Sequence, residues 1–247
     1  MTVSKYSASG NDFIVFHTFV KEDRGALAKK LCHRQNGVGA DGLIVLVPHA
    51  RYDFEWQFYN SDGSEAEMCG NGSRACAHYA FENHLADEKM TFLTQAGVIS
   101  AEVKGTMVMS ELTPPCILEK NIQYKGKSWT KIDTGVPHLV NFTDDIENFD
   151  LQEARELRYK YNANVNIAVV DGDNLRVRTY ERGVEGETLA CGTGMAACFY
   201  VALLEKKVSD KIEVYPKSGD TLYLGVNSKT ITFKGEIKKV FVTEWLE

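Results

Sequence analysis

Met68-Cys69-Gly70-Asn71-Gly72-Ser73-Arg74-Ala75-Cys76 and Ala190-Cys191-Gly192-Thr193-Gly194-Met195-Ala196-Ala197-Cys198 are the same segment used twice. At an offset of 122 positions Cys, Gly, Gly, Ala and Cys are identical in register, and Ala80 over Ala202 extends the match. Upstream, Phe54-Glu55-Trp56-Gln57-Phe58 lies over Leu175-Arg176-Val177-Arg178-Thr179 at an offset of 121, each with its first, third and fifth side chains on one face of a strand. Further back, Leu43-Ile44-Val45-Leu46 falls near Ile167-Ala168-Val169-Val170, and Gly10-Asn11-Asp12-Phe13-Ile14-Val15 near Gly135-Val136-Pro137-His138-Leu139-Val140. Each half therefore reads strand, helix, strand, turn, strand, then a Cys-Gly-x-Gly turn that opens a helix and leads to more strands. A duplicated α/β domain is expected.

The chain has 247 residues, enough for two domains of about 120 each. Consecutive prolines at Thr113-Pro114-Pro115 place the junction, giving halves 1–114 and 115–236. Asp150 followed by Glu153 predicts a capping-box start, with Leu151, Ala154, Leu157 and Tyr161 on one helical face; segment 24–34 is its first-half equivalent. The run from Met195 to Leu204 is apolar nearly all round, so sheet must wrap that helix. Segments 91–112, 121–133, 212–226, 229–234 and 237–245 read as strands and hairpins, with a break at Asn227-Ser228-Lys229.

Composition narrows the function classes. Hydrophobic residues are 44% and charged residues 25%, a globular balance, and 28 Lys and Arg against 34 Asp and Glu give a net charge of −6 without a basic run. That argues against nucleic acid and anionic membrane as partners and for a small molecule. The longest apolar run, ten residues, is far short of the roughly 18 a membrane span needs. Six cysteines follow an amino terminus with no apolar signal core, so a reducing cytoplasm is expected, and no Cys-x-x-Cys or His/Cys quartet announces a metal.

A cysteine that opens a helix, with glycines one and three positions later, has a definite use. The first-turn N–H groups and the positive end of the helix dipole favour an anion there, which acidifies the thiol and binds a carboxylate. Two such groups facing opposite sides of one carbon are what inversion of a stereocentre requires: one thiolate removes the α-proton and the other thiol supplies one to the opposite face. The helix ends also stabilise the enolate-like charge that develops, so no electron-sink cofactor is required. Most cysteines are packed hydrophobes, and Cys32, Cys76, Cys116 and Cys198 are read that way; Cys69 and Cys191 are singled out by their duplicated setting. His33, His49, His78 and His84 are read as structural.

The chain resembles the diaminopimelate epimerase family over essentially its whole length. The ordered marks are Gly10-Asn11-Asp12-Phe13, Gly37-Val38-Gly39-Ala40-Asp41-Gly42, Phe58-Tyr59-Asn60-Ser61-Asp62-Gly63-Ser64, Met68-Cys69-Gly70-Asn71-Gly72, Pro137-His138, Asn166, Tyr180-Glu181-Arg182-Gly183 and Ala190-Cys191-Gly192-Thr193-Gly194. The resemblance implies an α/β (α+β) fold of two pseudo-symmetric domains. Each would be a mixed sheet curled around a central helix, with strand 237–247 completing the first domain and the active site in the cleft between the halves. It implies conversion of LL-2,6-diaminopimelate to the meso isomer in lysine and peptidoglycan biosynthesis, without pyridoxal or another cofactor and without a metal. Cys69 and Cys191 would be the acid/base pair, His138 and Glu181 would tune their pKa values, and the backbone at Gly70-Asn71 and Gly192-Thr193 would hold the reacting carboxylate. Asn11, Asn60, Asn166, Arg182 and Glu181 would make the remaining substrate contacts.

Gly42, Val136 and Thr243 depart from residues that some family members carry, the last at a position associated with dimerisation; a homodimer is left open. Rival readings are a cofactor-independent racemase of the proline type, a non-catalytic amino-acid-binding protein on the same scaffold, and a pyridoxal enzyme. The polar set Asn60, Asn166, Glu181 and Arg182 favours a long substrate with a second charged end, because a compact one would leave buried polar groups unpaired.

Overall fold

The computed structural model describes residues 1–227 and 230–246. Residues 228, 229 and 247 lie outside the described residues; they include part of the 227–229 break, the first residue of the strand read over 229–234 and the last of 237–247. The chain divides into two compact units, one of residues 1–111 with 234–247 and one of residues 112–233.

The first unit begins with strands β1 (Thr2–Ala8) and β2 (Asn11–His17), helix α1 (Gly25–Cys32) and strands β3 (Gly42–Val47) and β4 (Phe54–Asn60). Helix α2 (Gly70–Glu82) and strands β5 (Lys89–Thr94), β6 (Gly97–Lys104) and β7 (Met107–Glu111) follow. β1–β2 and β3–β4 are antiparallel, while the two pairs joined through a helix, β2–β3 and β4–β5, are parallel. β5–β6 and β6–β7 are antiparallel hairpins. β3, the run Gly-Leu-Ile-Val-Leu-Val, is buried throughout, as an inner strand covered on both faces must be.

The second unit repeats the plan with β8 (Cys116–Tyr124), β9 (Lys127–Asp133), β10 (Pro137–Phe142), α3 (Leu151–Tyr161), β11 (Asn164–Asp171), β12 (Asn174–Glu181), the short β13 (Gly186–Thr188), α4 (Gly192–Leu204), β14 (Lys211–Pro216), β15 (Leu222–Asn227) and β16 (Thr230–Glu236), whose residues from 234 on belong to the first unit. β9–β10, β11–β12 and β14–β15 are antiparallel, and β10–β11 and β12–β14 are parallel. The final strand, β17 (Lys238–Glu244), pairs antiparallel with β1 as β8 pairs with β9, so it takes in the first unit the place β8 has in the second. Even β13 has a vestige in the first unit: β12 pairs with it through Tyr180 and Glu187, and the isolated bridge Tyr59 to Glu65 follows β4 at the matching place.

α1 and α3 cover one face of their sheets. Ala28 and Leu31 pack with Val3, Ile14, Leu43, Val45 and Tyr59, and Ala154 and Leu157 pack with Trp129, Leu139, Val165, Ile167 and Tyr180. α2 and α4 are each surrounded by strands of their own unit, α2 by β1, β2, β3, β6 and β7, and α4 by β9 to β12. α4 fills that space with apolar residues, as expected. α2 fills the same kind of space while burying Asn71, Ser73, Arg74 and His78, which periodicity does not reveal.

Some local readings change. Asp150 does cap α3, accepting from the N–H groups of Gln152 and Glu153, but the Glu153 side chain turns to Lys127 at 2.9 Å instead of closing the box. Leu151 is exposed, and the buried face of α3 is Glu153, Ala154 and Leu157. The segment 121–133, read among the strands and hairpins, is part of the hairpin of β8 and β9, whose turn holds Lys125 and Gly126 at φ of 46° and 78°.

Candidate active site

Cys69 is the N-cap of α2, with extended backbone, and its sulfur accepts the Gly72 N–H at 3.4 Å. Gly72 sits tightly: a Cβ there would lie 3.3 Å from Cys69 Cβ and from Ile44 Cδ1. The same sulfur lies 3.6 Å from Asn11 Oδ1, which also receives Asn71 Nδ2 at 3.5 Å. Both amides are oriented from behind. Asn11 Nδ2 donates to Asp41 at 2.7 Å, and Asn71 Oδ1 accepts from the wholly buried Arg74 guanidinium at 2.8 Å. Asp41 belongs to a charged cluster: Arg34 bonds Asp41 at 2.7 Å and Asp12 at 2.9 Å, and Lys5 reaches Asp12 at 2.7 Å and the Gly39 carbonyl. Burial alone would raise the Asp12 pKa, but the hydrogen bonds from Arg34 and Lys5 outweigh it and hold that carboxyl down to about 2.

Cys191 is the N-cap of α4 in the second unit, again with extended backbone and buried. Its sulfur lies 3.5 Å from Thr193 Oγ1, which lies 3.0 Å from His138 Nε2. On the other side of the imidazole, Asn166 Nδ2 lies 3.0 Å from His138 Nδ1 and donates to the Leu139 carbonyl at 2.9 Å, while Asn166 Oδ1 accepts from Thr179 at 2.8 Å. Thr134 donates to the Thr193 carbonyl at 3.0 Å. His138 is fully buried, and that burial, reinforced by the nearby Arg182 charge, lowers its pKa to about 3, so the ring is neutral at physiological pH.

Two helices with cysteine N-caps thus stand at the same point of a repeated topology. The sequence profile of the diaminopimelate epimerase family matches residues 3–115 and 130–238. The chain belongs to the diaminopimelate epimerase family. Diaminopimelate epimerase from a Nitratiruptor species is 62% identical to it over 98% of each chain, and that from Campylobacter lari 52% identical over 99% of each. Solved structures share the fold at low identity. A PhzF-family phenazine biosynthesis protein from Enterococcus faecalis superposes with TM-score 0.78 at 15% identity, covering 99% of both chains. A hydroxyproline epimerase from Agrobacterium vitis does so with TM-score 0.75 at 14% identity, covering 98% of this chain and 91% of that one.

Against the diaminopimelate epimerase pattern, the remaining residues fall as follows. Asn60 is exposed at the end of β4 and donates to Ser64 Oγ at 3.0 Å. Glu181 and Arg182 lie half-buried at the end of β12, and the Arg182 N–H donates to Asn164 Oδ1 at 2.7 Å. Gly70, Asn71, Gly192 and Thr193 form the buried first turns of α2 and α4. Asn166 is buried with its amide committed to His138, Leu139 and Thr179, so it reaches the site through the imidazole. Gly42 leaves no space for the side chain other members carry: a Cβ would sit 2.6 Å from Phe58 Cε2.

Asp41, Arg74, Thr134, Asn164 and Thr179 also belong to these networks, and their roles were not read from the sequence. Asp41 stands inside a quoted motif, whereas nothing about Thr179 in an alternating strand marks it. Of the cysteines read as packed, Cys32, Cys76 and Cys198 are buried, and that burial raises all three pKa values, Cys32 to about 12. Cys116 is a correction: it is exposed, because β8 is exposed along most of its length. Among the described residues no cluster of three or more His, Cys, Asp or Glu is placed to hold a metal ion, and no helix is long and apolar enough to cross a membrane.

Proposed function

We propose that this chain interconverts LL- and meso-2,6-diaminopimelate with Cys69 and Cys191 as its two acid/base groups. The observation that carries the reading is the pair of cysteine N-caps on equivalent thirteen-residue helices, in a chain 62% identical over 98% of its length to a diaminopimelate epimerase. Both cysteines act on the same α-carbon: one sulfur takes its proton and the other returns a proton to the opposite face. The first-turn N–H groups at Gly70-Asn71 and Gly192-Thr193 hold the carboxylate and stabilise the charge that develops on it. Asn11, Asn60, Glu181 and Arg182 contact the substrate, Arg182 gripping the distant carboxylate. His138, with Asn166 behind it, and Glu181 set the thiol acidities. No cofactor or metal enters the scheme, and the place of action is the cytoplasm, in lysine and peptidoglycan precursor synthesis. A homodimer is left open and is tested through the last strand.

The test is turnover of diaminopimelate in deuterated water. The wild-type chain should invert the centre with solvent deuterium incorporated at the α-carbon, and Cys69→Ser and Cys191→Ser should each lose on the order of 10²–10⁴-fold or more in kcat. Turnover of proline in place of diaminopimelate, or undiminished turnover by either variant, would reject the assignment.

A further inference from the structure

The side chains that meet the two cysteine sulfurs, Thr193 at Cys191 and Asn11 at Cys69, differ in polarity. In the second unit, the Leu139 carbonyl can only accept, so the Asn166 group 2.9 Å from it is the NH2. That NH2 also faces His138 Nδ1 at 3.0 Å, so Nδ1 is an acceptor, and the proton of this neutral ring sits on Nε2. Asn164 Nδ2, 3.4 Å from Nε2, is a donor too, since Asn164 Oδ1 is occupied by the Arg182 N–H. The acceptor for Nε2–H is then Thr193 Oγ1 at 3.0 Å, which leaves the threonine's own proton for Cys191 Sγ at 3.5 Å. Thr179 completes the chain by donating to Asn166 Oδ1 and so preventing the amide from turning over.

In the first unit the order is reversed. Asp41 holds the Asn11 NH2, so Asn11 presents a carbonyl oxygen to Cys69, which can only accept from S–H and so opposes the Gly72 N–H that the same sulfur receives at 3.4 Å.

We infer that Thr193 and Thr179 are positioning residues that, through His138 and Asn166, aim a hydroxyl donor at Cys191, making Cys191 the thiolate and Cys69 the thiol of the resting enzyme. The inference rests on the two-thiol reading above. A hydrogen bond donated to sulfur stabilises the thiolate, and one accepted from S–H stabilises the thiol. When Cys191 removes an α-proton, that proton stays on Cys191 and Cys69 delivers its own; the relay then favours transfer back to the starting arrangement. The relay itself carries no charge. The charged side chains beside it within this unit are Asp133 at the end of β9 and Glu181 and Arg182 at the end of β12, and the first turn of α4 has no acidic residue.

The experiment compares Thr193→Val, Thr193→Ser and Thr179→Val in a chain that also carries Cys69→Ser and Cys116→Ser, so that Cys191 is the thiol that titrates by ultraviolet thiolate absorbance, with kcat and KM measured in the otherwise wild-type chain. Thr193→Val should move Cys191 ionisation up by about one to two pH units and lower kcat about ten- to a hundredfold with little change in KM, the loss of one hydrogen bond to a charged group. Thr193→Ser should restore both, and Thr179→Val should shift both in the same direction as Thr193→Val by less. Equal losses in Thr193→Val and Thr193→Ser, or a Cys191 titration unmoved by Thr193→Val, would overturn the relay while leaving the two-thiol reading intact. Failure of that reading would show separately, as turnover surviving Cys191→Ser.

Discussion

Gly194 sits where a single methyl group would undo the Cys191 network. A Cβ at this position would overlap Asn166 Oδ1 and lie 3.1 Å from Thr179 Oγ1, and Asn166 cannot retreat without releasing His138 and Leu139. Alanine in a helix is ordinarily worth up to about 1 kcal/mol over glycine, but overpacking a rigid buried site costs about 1–3 kcal/mol, so the clash wins. Gly194→Ala should lower unfolding free energy in urea and reduce kcat, whereas Gly186→Ala, with nothing within 4 Å of its Cβ, should leave both nearly unchanged. In the sequence the glycine is legible only as part of Cys-Gly-x-Gly. What it makes room for is a protein side chain, because the helix packs against β11 and β12.

At the scale of elements, the first unit is tied together by charge as well as by apolar packing. Asp12 on β2 receives Lys5 from β1 at 2.7 Å and Arg34 from the loop after α1 at 2.9 Å, and its backbone N–H meets Asp41 just before β3 at 3.1 Å. Its folded pKa of about 2 lies below the ordinary value of 3.8, so the carboxylate contributes stability that is complete above about pH 4 and is lost as pH falls toward 2. The amount is about 2 kcal/mol. Asp12→Asn should remove about that much at neutral pH and flatten the pH dependence of unfolding between about pH 4 and 2; an unchanged acid limb in urea titrations would show that the cluster carries no such term. Element order was readable from the repeat, whereas the parallel pairing of the strands bridged by helices came from the structure. The buried polar face of α2 was not legible either, since Ser73 meets Ser110 of β7, a partner that only folding supplies.

For the whole molecule, the exposed apolar side chains of the last strand bear on assembly. Val240, Phe241 and Val242 are consecutive and 44–51% exposed, an unusual concentration for a surface strand. If a second copy covers them, sedimentation equilibrium should give a dimer for the wild-type chain and a monomer, or a dimer weakened at least about tenfold, for Phe241→Glu; an unaffected dimer would place the contact elsewhere. The sequence alone determined the duplication, the two cysteine-capped helices and the family, because these are local patterns of residue type and spacing that survive without coordinates. Tertiary structure decided that β17 pairs with β1 in the first unit, that Asn166, His138 and Thr193 stand in one hydrogen-bonded line behind Cys191, and that Asn11 turns its carbonyl oxygen to Cys69. Those properties depend on which donor meets which acceptor, and hydrogen-bond direction is set by side chains brought together from distant strands.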